Sequence, residues 1–375
     1  MPRLPARSIS GLALACTALA VLTSSIFSPT QDVRAAPVAS AAPALLLAVP
    51  TPMSPLVAAR SYAVQLERRD SSGTLQPVYH RFTVQPGIGA IAVSPDGRLL
   101  AYDDPSSVVH LVTLAGGQDR VLGQGGSPAF SFDSRYVAYG PSVAGEGRGV
   151  DHLSVAATSA TTASTLAAGP HLTIAAFAWA PHDDRLAMES ADTDGNTVFG
   201  IAAAGKSETQ QIVSRTYTLD GGLAWAVDGR ALLYWHYAGS KRMKNIISSQ
   251  FGLLRLMLPA GPTSTLLAPT LTAWSEGLPP AAVVDSSGTH IASLLGAPGA
   301  GFNQVVVFAG PGVHPLSVAL PGEPRAVAFT PSGSQGVAVW QSLRGAVTVS
   351  RAVLFSSSSG QAQDLGPAVA AFWVP

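Results

Sequence analysis

The chain has 375 residues, 47% of them hydrophobic and only 12% charged, about half the charge usual in soluble domains. Lys+Arg and Asp+Glu both number 22, so the basic excess that nucleic-acid binding needs is absent and nucleic acid is not an expected partner. The single cysteine, Cys16, excludes an intrachain disulfide and a thiolate metal cluster.

Arg3 and Arg7 precede an apolar run from Ile9 to Leu22. A basic start followed by a short apolar core is the pattern of a secretory signal, with small-residue cleavage sites after Ala35 or Ala41. The stretch from Ile9 to Phe27 is also long enough for an uncleaved anchor. Residues 1–35 therefore read as a signal peptide or N-terminal membrane anchor. Cys16 lies inside the apolar run, where it is either an inert signal residue or a lipidation site. Residues 36–58 are rich in Ala, Pro and Ser, with Leu45–Val49 as their one apolar patch, and read as a flexible spacer. The location expected is extracytoplasmic, secreted or envelope-associated, with the membrane touched only through the N-terminal segment.

An internal repeat organises residues 59–375. It recurs as IAVSPDGRLLAY (Ile91–Tyr102), PAFSFDSRYVAY (Pro128–Tyr139), FAWAPHDDRLAME (Phe177–Glu189), LAWAVDGRALLYW (Leu223–Trp235), AAVVDSSGTHIASL (Ala281–Leu294) and VAFTPSGSQGVAVW (Val327–Trp340). AAFWVP (Ala370–Pro375) ends the chain on the first half of the motif. The anchors Val93, Phe130, Trp179, Trp225, Val284, Phe329 and Trp373 are spaced by 37, 49, 46, 59, 45 and 44 residues. Each motif is a short apolar strand, a turn built from Pro, Asp, Ser and Gly, and a second apolar strand. Further strand-like stretches follow, such as Val108–Leu114 and Asp119–Leu122. Four short strands every 40–50 residues is the signature of a β-propeller blade.

Ser61–Val84 reads as two outer strands lacking an inner one, and Ala370–Pro375 as an inner strand lacking outer ones. The expected fold is all-β, a seven-bladed propeller whose last blade is closed by strands from both termini, with six blades as the alternative.

The motifs VSPDGRLLAY and WAPHDDRLAM resemble the propeller repeats of the TolB family and of prolyl-oligopeptidase relatives. Ser94-Pro95-Asp96-Gly97 is a full match, and Phe132-Asp133-Ser134, Val227-Asp228-Gly229 and Pro331-Ser332-Gly333 are partial ones. The resemblance covers about Ser61–Pro375 and implies a scaffold for protein or ligand contacts, often in the bacterial envelope. It stops at the propeller. No G-x-S-x-G nucleophile elbow occurs in the chain, and no room is left for the α/β domain of TolB.

Asp96, Asp133, Asp183 and Asp228 recur in the turns of successive repeats, where turn capping accounts for them. The eight histidines form no helix-spaced ligand pair, and neither metal nor cofactor is expected. Trp235–Asn245, WHYAGSKRMKN, joins aromatics to Lys241, Arg242 and Lys244 inside the longest interval and reads as a loop insertion. Loops leaving the second strand of each blade should gather on one side of the ring. His236, Tyr237 and Arg242 are the leading candidates there, with Asp103, Asp104, Arg148, Trp274 and Arg344 beside them. The reading is a monomeric, non-catalytic binding scaffold for a protein or small envelope ligand. The alternative is a lyase or glycan hydrolase with its site at the central opening.

Overall fold

The structure is a computed structural model. It describes residues 43–374 apart from 52–61, 71, 85–89, 141–151, 168–171, 193, 195, 207–209, 214–222, 244–245, 260, 273–281, 285–289, 296–302, 309–315 and 345–346. The expected signal segment, with Cys16, lies outside the described residues, as do Arg148 and Trp274.

The described residues form strands and no helices, gathered into seven four-stranded antiparallel sheets. The closing blade takes β1 (Ala44–Pro50), β2 (Tyr62–Arg69) and β3 (Leu75–Val84) from one end of the chain and its inner strand from the other. The first blade is β4 (Ile91–Val93), β5 (Leu99–Asp103), β6 (Val108–Thr113) and β7 (Gln118–Gln124). The second is β8 (Gly126–Phe130), β9 (Tyr136–Gly140), β10 (His152–Ala157) and β11 (Ala163–Ala167). The third is β12 (Thr173–Trp179), β13 (Arg185–Ala191), β14 (Thr197–Ala203) and β15 (Gln210–Val213). The fourth is β16 (Ala224–Trp225), β17 (Ala231–Met243), β18 (Ile246–Met257) and β19 (Thr263–Thr272). The fifth is β20 (Ala282–Val284), β21 (Ile291–Leu295), β22 (Gln304–Phe308) and β23 (Leu316–Ala319). The sixth is β24 (Glu323–Phe329), β25 (Gln335–Arg344), β26 (Val347–Ser356) and β27 (Ala362–Pro367), and β28 (Ala370–Val374) completes the closing blade.

The inner strands β28, β4, β8, β12, β16, β20 and β24 each contact the inner strand on either side, and β24 meets β28, so the ring is closed. This is a seven-bladed β-propeller. Alternation within each strand explains why the sheets stack. In β5, Leu100 and Tyr102 pack toward the closing blade, while Ala101 packs toward the second blade. In β13, Leu186 and Met188 face the second blade and Ala187 the fourth. A four-stranded sheet has two apolar faces, and only a neighbour on each side removes both from water.

Closure by both termini is as the complementary fragments imply, but the spacer reading is corrected. Ala44–Pro50 is the second strand of the closing blade. It pairs antiparallel with β28, Leu45 opposite Trp373, and with β2, Leu45 opposite Arg69. Leu46 packs toward the first blade and Leu45 and Leu47 toward the sixth. An uninterrupted apolar run is what a strand buried on both faces requires.

Candidate functional site

The described turns that join the first and second strands of the blades share one face of the ring. Their acids hold the turns. In the first blade Ser94 Oγ donates to Asp96 Oδ1 at 2.6 Å, which also accepts from the Arg98 amide at 3.1 Å. Asp133 accepts from Ser131 Oγ at 2.7 Å and the Arg135 amide at 3.1 Å, and Asp228 from the Arg230 amide at 2.9 Å. Asp183 is bonded by the Arg185 amide and guanidinium, and that guanidinium holds its carboxyl below the usual range.

The same turns clasp neighbouring blades. The Asp96 amide donates to Ser134 Oγ at 3.2 Å. Arg185 lies over the Trp225 ring at 4.9 Å and donates to Gly229 O at 2.8 Å. Trp179 Nε1 donates to Ala129 O at 3.0 Å and Trp225 Nε1 to Ala178 O at 2.8 Å, so each indole reaches the preceding inner strand. These groups are committed to one another, which makes this face a structural one.

The opposite face carries the connections from second to third strands. In the first blade the site residues Asp103 and Asp104 stand at the end of β5, but their surroundings differ. Asp103 is only 5% exposed and faces the second blade. Its amide donates to Ala90 O at 3.0 Å, and its Oδ1 has no hydrogen-bond partner. Burial pushes its pKa up to about 7. The expectation that Asp103 belongs to an exposed loop is thereby corrected: it is the last residue of a strand wedged between blades. Glu189 occupies the same register position in the third blade and is also buried, at 1% exposure.

Asp104 caps the turn that follows, its Oδ1 accepting from the amides of Ser106 at 2.8 Å and Val108 at 2.9 Å. Its Oδ2 is 3.6 Å from His110 Nε2, and His110 Nδ1 is 3.0 Å from Asp119 Oδ1. Tyr102 stacks on the imidazole with centroids 4.8 Å apart and donates to Asp119 Oδ2 at 3.0 Å. Burial first, and then Asp119, raise the Tyr102 pKa. This tyrosine–carboxylate–imidazole–carboxylate chain escapes a motif search, because its members are cross-strand neighbours on β5, β6 and β7. Its one signal in the sequence is the turn at Ala115-Gly116-Gly117, which folds β7 back on β6 and so brings Asp119 near His110.

The fourth blade holds His236, Tyr237 and Arg242, and here too the expectation is corrected. Trp235–Met243 is not a loop but the continuation of β17, paired with β18 as far as Met243 opposite Ile246. His236, half-buried, pairs with Gly252, Tyr237 with Phe251 and Arg242 with Ile247. A bulge at Ala238 separates the part within the sheet from the part beyond it. β17 has 13 residues against the 5 of β5, and at about 3.3 Å per residue it runs roughly 25 Å further. In the sixth blade β25 and β26 are also long, at 10 residues each, and Arg344 stands at their end opposite Val347. Both hairpins begin level with β5 at the turn face, so all of the excess lies on the opposite face. The six proposed site residues that are described are spread over three blades. Asp103 and Asp104 belong to the first blade, the His236 group to the fourth and Arg344 to the sixth.

Among the described residues no group of three His, Cys, Asp or Glu side chains could hold a metal ion. No protein-family model matches the chain, and no curated protein matches it either. Solved structures do match. Hydrazine synthase of Kuenenia stuttgartiensis aligns at 14% identity and a TM-score of 0.54, covering 86% of this chain and 97% of that one. An oligogalacturonate lyase from Vibrio parahaemolyticus aligns at 12% identity and 0.51, covering 75% and 78%. TolB from Acinetobacter baumannii aligns at 12% identity and 0.46, covering 89% and 83%. At such identities the likeness is one of fold.

Proposed function

We propose that this chain is an exported, non-catalytic β-propeller of the bacterial cell envelope that binds a partner through the face bearing the long hairpins. The carrying observation is the asymmetry between the faces: one is used up in hydrogen bonds among its own turns, while the other raises β17 and β18 well beyond the sheet. A rigid ring that holds projecting elements is the ordinary arrangement of a binding scaffold. Export rests on the basic and apolar N-terminal pattern. The His110 cluster lies on the second, third and fourth strands of its blade and not on the inner strand that lines the axis, and it lends the enzyme reading no support.

The test is a pulldown from envelope extract with the mature chain and with a variant in which Gly239–Ser249 is replaced by a two-residue turn. A partner held by the parent and lost by the variant, at unchanged melting temperature, is the expected result. A partner held equally by both would move the binding face elsewhere.

A further inference from the structure

Among the described residues, one edge of the projecting part of the fourth blade has no strand beside it. β16 pairs only Ala224 and Trp225 with Leu233 and Leu232. Past the bulge, β17 runs on as Gly239–Met243, paired on its outer side with Gln250–Ile246. β18 is itself backed by β19 as far as Ser249 opposite Thr272. No described strand pairs with Gly239–Met243 on the inner side, the side that faces the ring axis. Two residues separate Met243 from Ile246, so the pair nearest the tip is the hydrogen-bonded kind. The pairs then alternate, which turns the N–H and C=O of Ser240 and Arg242 toward the open side. A row of unpaired backbone groups is a template for another strand.

Charge selects the strand. Between Asp228 and Glu276 the chain has no acidic residue, but it has Arg230, Lys241, Arg242, Lys244 and Arg255, including two of the protein's three lysines. Arg255 is paired with Asp228 at 2.9 Å. Lys241 and Arg242 belong to the open strand itself. A second copy of the same edge would set like charges opposite each other, which disfavours pairing, whereas acidic residues opposite them favour it. We propose that Gly239–Met243 accepts an extended acidic segment of a partner protein as an added β-strand. This rests on the reading that the hairpin face is the binding face, and it supplies the mode of binding and the chemistry of the partner.

The experiment uses the mature chain and a labelled, end-capped ten-residue peptide of alternating Glu and Val, read by fluorescence anisotropy. Controls are the same peptide N-methylated at every second amide in either register, a Lys/Val peptide, and labelled oligogalacturonate. The Glu/Val peptide should bind and the Lys/Val peptide should not. N-methylation in one register should weaken binding at least tenfold and in the other register much less. Arg242→Pro removes an outward N–H without touching the bonds to β18 and should weaken binding at least tenfold. Arg242→Ala, which keeps the edge, should weaken it about threefold. Equal affinity for both N-methylated peptides overturns the proposal without any variant, and so does binding of oligogalacturonate with none of the peptide. If no probe binds, yet replacing Gly239–Ser249 still releases the envelope partner, the face assignment stands and the acidic-strand proposal fails.

Discussion

On one face of the ring each described turn between first and second strands closes on itself, and on the other the blades end at different heights. The first face repeats because the strand pair fixes it. In the first, second, fourth and sixth blades the reversal of the strand pair uses a carboxylate or hydroxyl to take the free amides and needs a residue with positive φ. Gly97, Gly229 and Gly333 meet that need, as does Ser134 at φ 63°. Nothing of the kind constrains how far second and third strands run once they have left the sheet. The difference teaches where stability and recognition are separable in this molecule.

The largest expected effect comes from removing the clasp. Deleting Ala370–Val374 takes away the inner strand of the closing blade and exposes Leu45, Leu46 and Leu47, each burial of which is worth about 1.5–3 kcal/mol. The melting temperature should fall by more than about 10 °C, or cooperative melting should vanish. A loss of a degree or two would mean that the ring holds without it.

Asp103 sharpens the comparison from the other face. Its pKa of about 7 lies above the value in an unfolded chain, so between about pH 4 and 7 the folded state keeps a proton that the unfolded state has lost. Stability should therefore decline as pH rises through this window, by at most roughly 4 kcal/mol. Asp103→Asn should flatten that decline and stabilise the protein above pH 7. Denaturant melts from pH 4 to 8 would show it, and parallel curves for both proteins would refute it.

Gly97→Ala forces a side chain into φ +70° and against Val374 Cβ at 3.2 Å, and should destabilise by about 1–2 kcal/mol. Smallest of all, Lys241→Ala and Arg344→Ala, on the projecting hairpins, should shift stability by no more than about 0.5 kcal/mol while weakening partner capture. If these two lower the melting temperature as much as Gly97→Ala does, the separation of the two faces is lost.

The turn face was legible in the sequence because its residues are chemically obligatory and adjacent: Ser94, Asp96, Gly97 and their counterparts name the turn and, through their spacing, the ring. β1 was hidden for a physical reason. Its partner β28 comes from the far end of the chain, so no turn motif precedes Ala44, and the apolar run stands alone among Ala and Pro. The projecting hairpin was hidden because Gly239–Met243 carries no apolar alternation; only its pairing with Ile246–Gln250 makes it a strand. The His110 cluster was hidden because its members meet across strands.

The closing blade has a temporal consequence. Its sheet joins Leu45 to Trp373, so a chain still emerging from the ribosome cannot shut the ring until Trp373 has been made. Contacts between distant parts of a chain form late and slowly. The other six blades can each assemble from neighbouring sequence, and the contact that locks them into a ring has to wait for a strand more than 300 residues away from its partner.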